Sequence, residues 1–388
     1  MNLTSYQSHY RMRIIDSLKD VEREIWDYLV SLQANPNPFL SYAFLHALHE
    51  SGGASVTTGW RVCYLTLWDD HGLAAALPLY EKTHSYGEYV FDWAWAEAYQ
   101  RNGLNYYPKL LSAIPFTPVT GSRLLARDTS ARHALLNGLA GFRSDGNFSS
   151  THILFSTQQE ARLLHDAGYL IREGLQFHWK NQSYHDFEHF LSTLEQKKRK
   201  NIRAERRKVA EQGVTFQQIQ GKNITEADWI FFKSCYDQTY LEHRSTPYLN
   251  LNFFLRIGTT MPEHLHLIVA RKNGKAIASS LIVHNETTVF GRYWGALETV
   301  PCLHFVTAYY QAIEFCIENK IKNFEGGAQG EHKIARGFLP KKTYSAHHLS
   351  EPAFSDAVAL FLQREKVGIE QYMNELYDHN PFKTGIDK

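Results

Sequence analysis

Residues 324–347, FEGGAQGEHKIARGFLPKKTYSAH, gather the side chains and backbone freedom that acyl transfer to an amine requires. Glu325, His332 and His347 are candidate proton acceptors, and Tyr344 is a candidate acid. Glu325 ends a short apolar run, where partial desolvation would lift its carboxyl toward the range of a useful base. A helix-capping or ion-paired carboxylate would look the same in the sequence. Lys333 and Arg336 are three apart and so share a helical face. With free N–H groups near Gly330 they are candidates to hold a phosphate or carboxylate. Gly326, Gly327 and Gly330 let the backbone approach a ligand, with Gln329 and Glu331 as further contacts. GGAQGEHK is not a P-loop, because no Lys follows its last glycine.

Three other places could contribute. In GRYWGAL (291–297), Gly295 is read at a strand bulge whose N–H faces an acyl carbonyl, with Arg292 and Trp294 as substrate contacts. A glycine packed closely inside a strand is the alternative. Tyr106, Tyr107 and Lys109 lie in a long Pro-containing stretch, residues 103–125, expected to be a loop lining the opposite wall of the site. The run KKRKNIRAERRK (197–208) aligns Lys200, Arg203 and Arg207 on one helical stripe that would suit transfer RNA, a nucleotide-linked precursor or anionic lipid. Glu195, Glu205 and Glu211 dilute it, as on an ordinary solvated face. No metal is expected: His185, Glu188 and His189 form H-x-x-E-H, but in a stretch that reads as an ordinary helix start.

These segments fall into a pattern that occurs twice. RVCYLTLW, the turn DDHG, LAAALPLYE and EYVFDWAWA read as a three-stranded meander over residues 61–96. HLHLIVAR, the turn KNG, AIASSLIVH and TTVFGRYWGAL repeat it over residues 264–297. Each meander is followed by a helix, a short strand, a second helix and closing strands, and each is preceded by a strand and amphipathic helices. The expected organisation is α+β, with two similar units, 1–180 and 181–388. The first carries the 103–125 insertion; the second carries a basic helix near 187–211 and the probable active site.

At 388 residues the chain exceeds the size at which one core keeps growing, consistent with two domains. A net charge of +1 supplies no global field to recruit nucleic acid or membrane, so such a partner would need a local patch. Four widely spaced cysteines form no C-x-x-C pair and suit a reducing compartment. Neither a leader pattern nor an 18-residue apolar run is present, so a cytoplasmic protein without transmembrane segments is expected.

NPFLSYAFLHALHESG, YYPKLLSAIPFTPVTGSRLL, YDQTYLEHRSTPYLNLNFF, GRYWGAL and AYYQAIEFCIE, together with the 324–347 segment, resemble a bacterial family of predicted N-acyltransferases of the peptidoglycan biosynthesis or recognition type. That family is similar to the Fem-type aminoacyltransferases of the GNAT superfamily. The resemblance implies two tandem GNAT-like domains, each a mixed, mainly antiparallel sheet flanked by helices. It also implies an acyltransferase that forms an amide on an amine-bearing acceptor, such as a peptidoglycan precursor, from acyl-CoA or aminoacyl-tRNA. A noncatalytic binding protein for a cell-wall precursor or other anionic ligand is the rival. The chain departs from pattern at Val306, where relatives are expected to carry an acid after His304-Phe305. GALETVPCLHF also lacks the glycine-rich pyrophosphate loop of coenzyme A-dependent GNAT enzymes.

Overall fold

In the computed structural model, residues 10–327 and 330–383 are described. Two compact units emerge, the first made of residues 1–174 and 343–366, the second of residues 175–342 and 367–388.

In the first unit, strands β1 (Arg11–Ile15), β2 (Trp60–Val62), β3 (Tyr64–Asp69), β4 (Gly72–Leu77), β5 (Tyr80–Lys82), β6 (Lys109–Ser112), β7 (Leu125–Ala126) and β8 (Ser150–Ser156) alternate with helices α1 (Arg23–Ser31), α2 (Tyr42–Glu50), α3 (Trp93–Arg101), α4 (Thr129–Asp145) and α5 (Gln158–Asp166). One antiparallel sheet runs β1-β3-β4-β7. In a second sheet β2 pairs with β5, β5 with β6, and β6 with β8 in parallel.

The third strand of the first meander is not where the sequence suggested. EYVFDWAWA does not extend as a strand; α3 begins at Trp93, because Ala94, Ala96, Glu97 and Ala98 favour helix while Trp95 and Tyr99, at i and i+4, bury one face. β7, beyond the insertion, pairs with β4 instead. Nor is the insertion an open loop: Leu110 and Leu111 are fully buried and draw residues 109–112 into the second sheet as β6.

The second unit contains α6 (Phe187–Thr193), α7 (Gln196–Glu211), β10 (Val214–Gln220), α8 (Glu226–Glu242), α9 (Leu251–Thr260), β11 (Leu265–Lys272), β12 (Lys275–His284), β13 (Thr288–Ala296), α10 (Gln311–Glu318) and β14 (Asn323–Glu325). Its antiparallel order β10-β11-β12-β13 repeats that of β1-β3-β4-β7, and the Asn273-Gly274 turn, with both residues at positive φ, joins β11 to β12 as expected of a tight hairpin. β9 (Leu170–Lys180), β15 (Leu339–Leu349) and α11 (Pro352–Asp378) run from one unit into the other along the chain.

β14 lies between β13, which it meets in parallel, and the 178–180 end of β9, which it meets antiparallel. The core of this unit includes Phe177, Trp179, Phe190, Ile282, Val289, Ile313, Phe324 and Phe338. Burial of Phe324 from both faces fixes β14, and therefore fixes the strand end that carries Glu325.

Candidate active site

Glu325 is the last residue of β14, and the parallel pairing with β13 stops at Phe290 opposite Glu325 while β13 runs on to Ala296. The two strands therefore part at Glu325, and the polypeptide turns away through Gly326 and Gly327. Gly326 N–H donates to the Phe177 carbonyl (2.9 Å), and the Gly327 carbonyl accepts from Phe177 N–H (3.1 Å). Side chains are excluded from this hinge. A Cβ on Gly326 would lie 2.8 Å from the Phe338 ring, and Gly327 has φ of 82°.

The Glu325 side chain is 13% exposed, and its Oε2 is buried with no hydrogen-bond partner among the described residues. Burial pushes its carboxyl up to about 7, against the opposing pull of Lys341 and Arg292. His178, in register on β9, places Nδ1 3.9 Å from Oε1, too far for a hydrogen bond. Burial and the Lys341, Lys333 and Lys180 cations hold that imidazole down at about 3, so it is neutral beside the carboxylate. Glu325 is thus a poised carboxyl with one uncommitted oxygen.

Arg292 is the extra residue of a bulge: Ile282 faces Gly291 and Leu281 faces Tyr293, leaving Arg292 without an opposite number on β12. The bulge is there and not at Gly295. Gly295 faces Ser279, and a Cβ on it would fall 1.8 Å from the Cys235 carbonyl oxygen of α8, so the glycine serves close packing of helix on strand. Gly295→Ala is expected to destabilise the protein by about 1–3 kcal/mol, read from the urea midpoint. An unchanged midpoint would contradict the packing role.

Residues 331–336 form a 3-10 turn rather than the α-helix suggested by spacing. It is bracketed by Gly330 (φ 104°) and Gly337 (φ 89°), where a Cβ would meet the His332 ring at 2.3 Å and the Phe190 ring at 2.8 Å. Lys333 is buried, with Nζ 3.5 Å from the Gly327 carbonyl, and burial followed by Arg292 lowers its ammonium to about 8. Arg336 turns away from the strand end: it donates to Glu205 Oε1 (2.6 Å) and the His332 carbonyl (2.6 Å) and lies 3.5 Å over the Phe305 ring. Glu331 accepts from Tyr372 (2.6 Å). Gln329 lies outside the described residues.

His332 is exposed, its Nε2 3.3 Å from Tyr309 OH, and its ring packs near Phe305 and His304. Trp294 packs on His304 at 5.1 Å between centroids. Phe305 and Tyr309 belong to a π-helical turn, Phe305–Tyr310, that leads into α10 where a glycine-rich phosphate loop is missing. The result is a rim of aromatic and imidazole rings near Lys333 and Arg336.

The other expected residues fall in the first unit. His347 is buried on β15, its Nδ1 2.7 Å from His152 Nδ1. Burial drives its imidazole well below the usual range, so it is neutral and a poor proton acceptor at neutral pH. Tyr344 faces Ser156 on the same strand. Tyr106 donates to Asp92 (2.7 Å), Tyr107 OH lies 2.9 Å from Ser85, and Lys109 is fully buried against Glu88 and Asp92. None of these three lines an open loop. Reading the sequence missed Gln176, His178 and the cluster around Lys109. The signal was present in LQFHWK, where Gln176 and His178 alternate with Leu175, Phe177 and Trp179 so that both faces of β9 are covered.

On the basic helix α7, Ile202 and Val209 face the core, while Arg203 pairs with Glu188 and Arg207 with Glu211 (3.5 Å). Among the described residues no helix is long and apolar enough to cross a membrane, and no group of ligating side chains has the geometry for a metal ion.

The FemAB-like family, described as peptidoglycan biosynthesis/recognition, matches residues 17–384. No curated protein matches the sequence. Among solved structures, FemX is similar with a TM-score of 0.55 at 8% identity, over 87% of this chain and 98% of that one. L-PGS from Bacillus licheniformis is similar at 0.53 and 12% identity, over 88% and 97%. The C-terminal domain of a putative lysylphosphatidylglycerol synthetase from Agrobacterium fabrum is similar at 0.53 and 11% identity, over 88% and 96%. At such identities these likenesses show the fold alone, an α+β chain of two units.

Proposed function

The chain belongs to the FemAB-like family; from that premise we propose that it is a transferase that moves an acyl or aminoacyl group onto the amine of a peptidoglycan or lipid precursor, with Glu325 as the base. The observation that carries this reading is the buried, uncommitted Oε2 of a carboxyl lifted to about 7, at the point where two parallel strands part. Such a group accepts a proton from an attacking neutral amine near neutral pH. As the amine nitrogen bonds to the acyl carbonyl carbon, Glu325 takes a proton from it; the bond from that carbon to the ester oxygen or thioester sulfur breaks, and Glu325 returns the proton to the departing oxygen or sulfur. Lys341 and Arg292 supply positive charge near the carboxyl, and Lys333 lies near Arg292. The rings of Trp294, His304, Phe305 and His332 offer a stacking surface for a donor's base or an acceptor's ring. Aminoacyl-tRNA fits the chain better than acyl-CoA as donor, because GALETVPCLHF carries no glycine-rich pyrophosphate loop and α7 exposes Lys200, Arg203 and Arg207.

The test supplies aminoacyl-tRNA or acyl-CoA with a muramyl-peptide precursor or an amine-bearing phospholipid such as phosphatidylethanolamine and reads the product by mass spectrometry. Product with wild type, none with Glu325→Gln, and acceptor binding retained by both is the expected result. Binding without product from any pairing would favour a recognition protein. With aminoacyl-tRNA as donor, charge reversal at Lys200 and Arg207 is expected to raise KM about tenfold at low salt and to flatten its salt dependence, leaving any acyl-CoA reaction unchanged. Equal KM values at all salt concentrations would exclude α7 from donor binding.

A further inference from the structure

A second cluster of charge lies in the first unit, apart from the residues given catalytic roles above. Lys82 on β5 and Lys109 on β6 are directly opposite one another in the antiparallel ladder and both are fully buried. Like charges so placed repel, and burying each ammonium is costly. The neighbouring acid on β5, Glu81, pairs with Arg61 (3.5 Å). Compensation comes from the segment that links the two strands, which folds Ser85, Glu88 and Asp92 inward.

Glu88 is held from two sides. Its Oε2 lies 2.8 Å from Lys109 Nζ and its Oε1 4.0 Å from Lys82 Nζ. Asp92 and the Ser85 hydroxyl also accept from Lys109, the latter at 2.8 Å. The fit is incomplete: Glu88 Oε1 and Asp92 Oδ1 are buried with no hydrogen-bond partner among the described residues. Lys82 Nζ makes a long 3.4 Å bond to the Tyr86 carbonyl and otherwise rests 3.7 Å over the Trp60 ring. A carboxylate has two oxygens, and here one of them stops short of the ammonium it neutralises.

The outer side of the same segment is unusual as well. Tyr86, Tyr89, Phe91 and Trp93 are exposed, at 58%, 39%, 63% and 41%. Between Ser85 and Asp92, then, the segment's charged carboxylate points inward and several of its large rings point to solvent. Gly87, at φ of 81°, gives it a turn that an ordinary residue would resist, since a Cβ there would strike the Phe116 ring at 2.6 Å. Burial lowers the Lys82 ammonium to about 7 and raises the Glu88 carboxyl to about 7, so the pair is weakly held, and two lysines on one sheet face offer the donors of an oxyanion site.

We propose that Lys82 and Lys109 form a binding site for a phosphate group, occupied in this structure by the Glu88 carboxylate as its stand-in. A phosphate has more acceptor oxygens than Glu88 offers, so it can reach Lys82 Nζ while keeping the Lys109 and Ser85 contacts. Asp92 stays on Lys109 and Tyr106, leaving a net positive charge for the incoming anion. The site is independent of Glu325, so either assignment can fail alone.

Inorganic phosphate is the probe, titrated into the full-length protein by calorimetry. Glu88→Gln removes the competing carboxylate charge and is expected to bind phosphate at least about tenfold more tightly than wild type, whereas Lys82→Met is expected to lose about tenfold or more. Equal affinities across the three proteins would overturn the proposal. A measurement on the unmutated protein guards against a variant that fails to fold: phosphate should raise its urea midpoint, and chloride at equal ionic strength should not. A midpoint that ignores phosphate, or that phosphate shifts equally in Lys82→Met, would equally overturn it.

Discussion

Glu325→Gln is expected to lower the rate of acyl transfer by about 10²–10⁴, the range that a positioned general base contributes. Glutamine keeps the shape and one acceptor oxygen but cannot take the proton, so acceptor affinity should change little. In the wild-type enzyme the base form is the carboxylate, so activity should rise with pH through about 7 and then level off. The same shift makes a stability prediction of defined sign. A carboxyl whose folded value is raised binds a proton more tightly in the native state, so between about 4.5 and 7 the native state holds more protons than the unfolded chain. Stability contributed by that proton is lost as pH rises through this window. Glutamine carries no such penalty, so the variant should be the more stable protein at pH 8, by roughly 1–3 kcal/mol, and no more stable at pH 4. Matched urea titrations at the two pH values check this. A variant that keeps wild-type turnover, or gains stability equally at both, would remove Glu325 from its role.

Lys109→Met should act on the fold. The substitution deletes the one group that Glu88, Asp92 and Ser85 share, leaving two carboxylates in a buried site. Breaking a buried ion pair from one side typically costs about 3–5 kcal/mol, because the remaining charge is uncompensated. A lowered urea midpoint with an unchanged slope is the expected measurement. Combining Lys109→Met with Glu88→Gln and Asp92→Asn should restore much of the loss, since neutral partners of similar shape leave no stranded charge. If Lys109→Met alone costs less than about 1 kcal/mol, the carboxylates are compensated in some other way, and the lysines do not form a tightly held pair of cations.

The catalytic role proposed for Glu325 and the buried position of Lys109 were legible to different degrees, and the reason is physical. Glu325 follows an apolar strand and precedes two glycines, a purely local arrangement, and the sequence is enough to suggest a desolvated carboxyl at a hinge. Lys109 sits in a stretch whose prolines and hydroxyls suggest a loop, yet Leu110 and Leu111 pull it into a sheet between strands that are distant in sequence. Gly295 shows the same limit: its strand was evident, but the helix carbonyl that excludes a side chain comes from Cys235.

By itself the sequence determined the second meander, the hairpin turns and the helix that follows, because these follow from period-two and period-3.6 hydrophobicity and from residues that adopt positive φ, while the family was carried by long strings such as NPFLSYAFLHALHESG. Tertiary structure alone decided which polar groups are buried together. His178 meets Glu325, Arg336 is drawn to Glu205, and Lys82 faces Lys109 only because strands and helices remote in the chain are packed side by side. Burial and proximity set proton affinities and charge compensation, and neither is a property of local spacing.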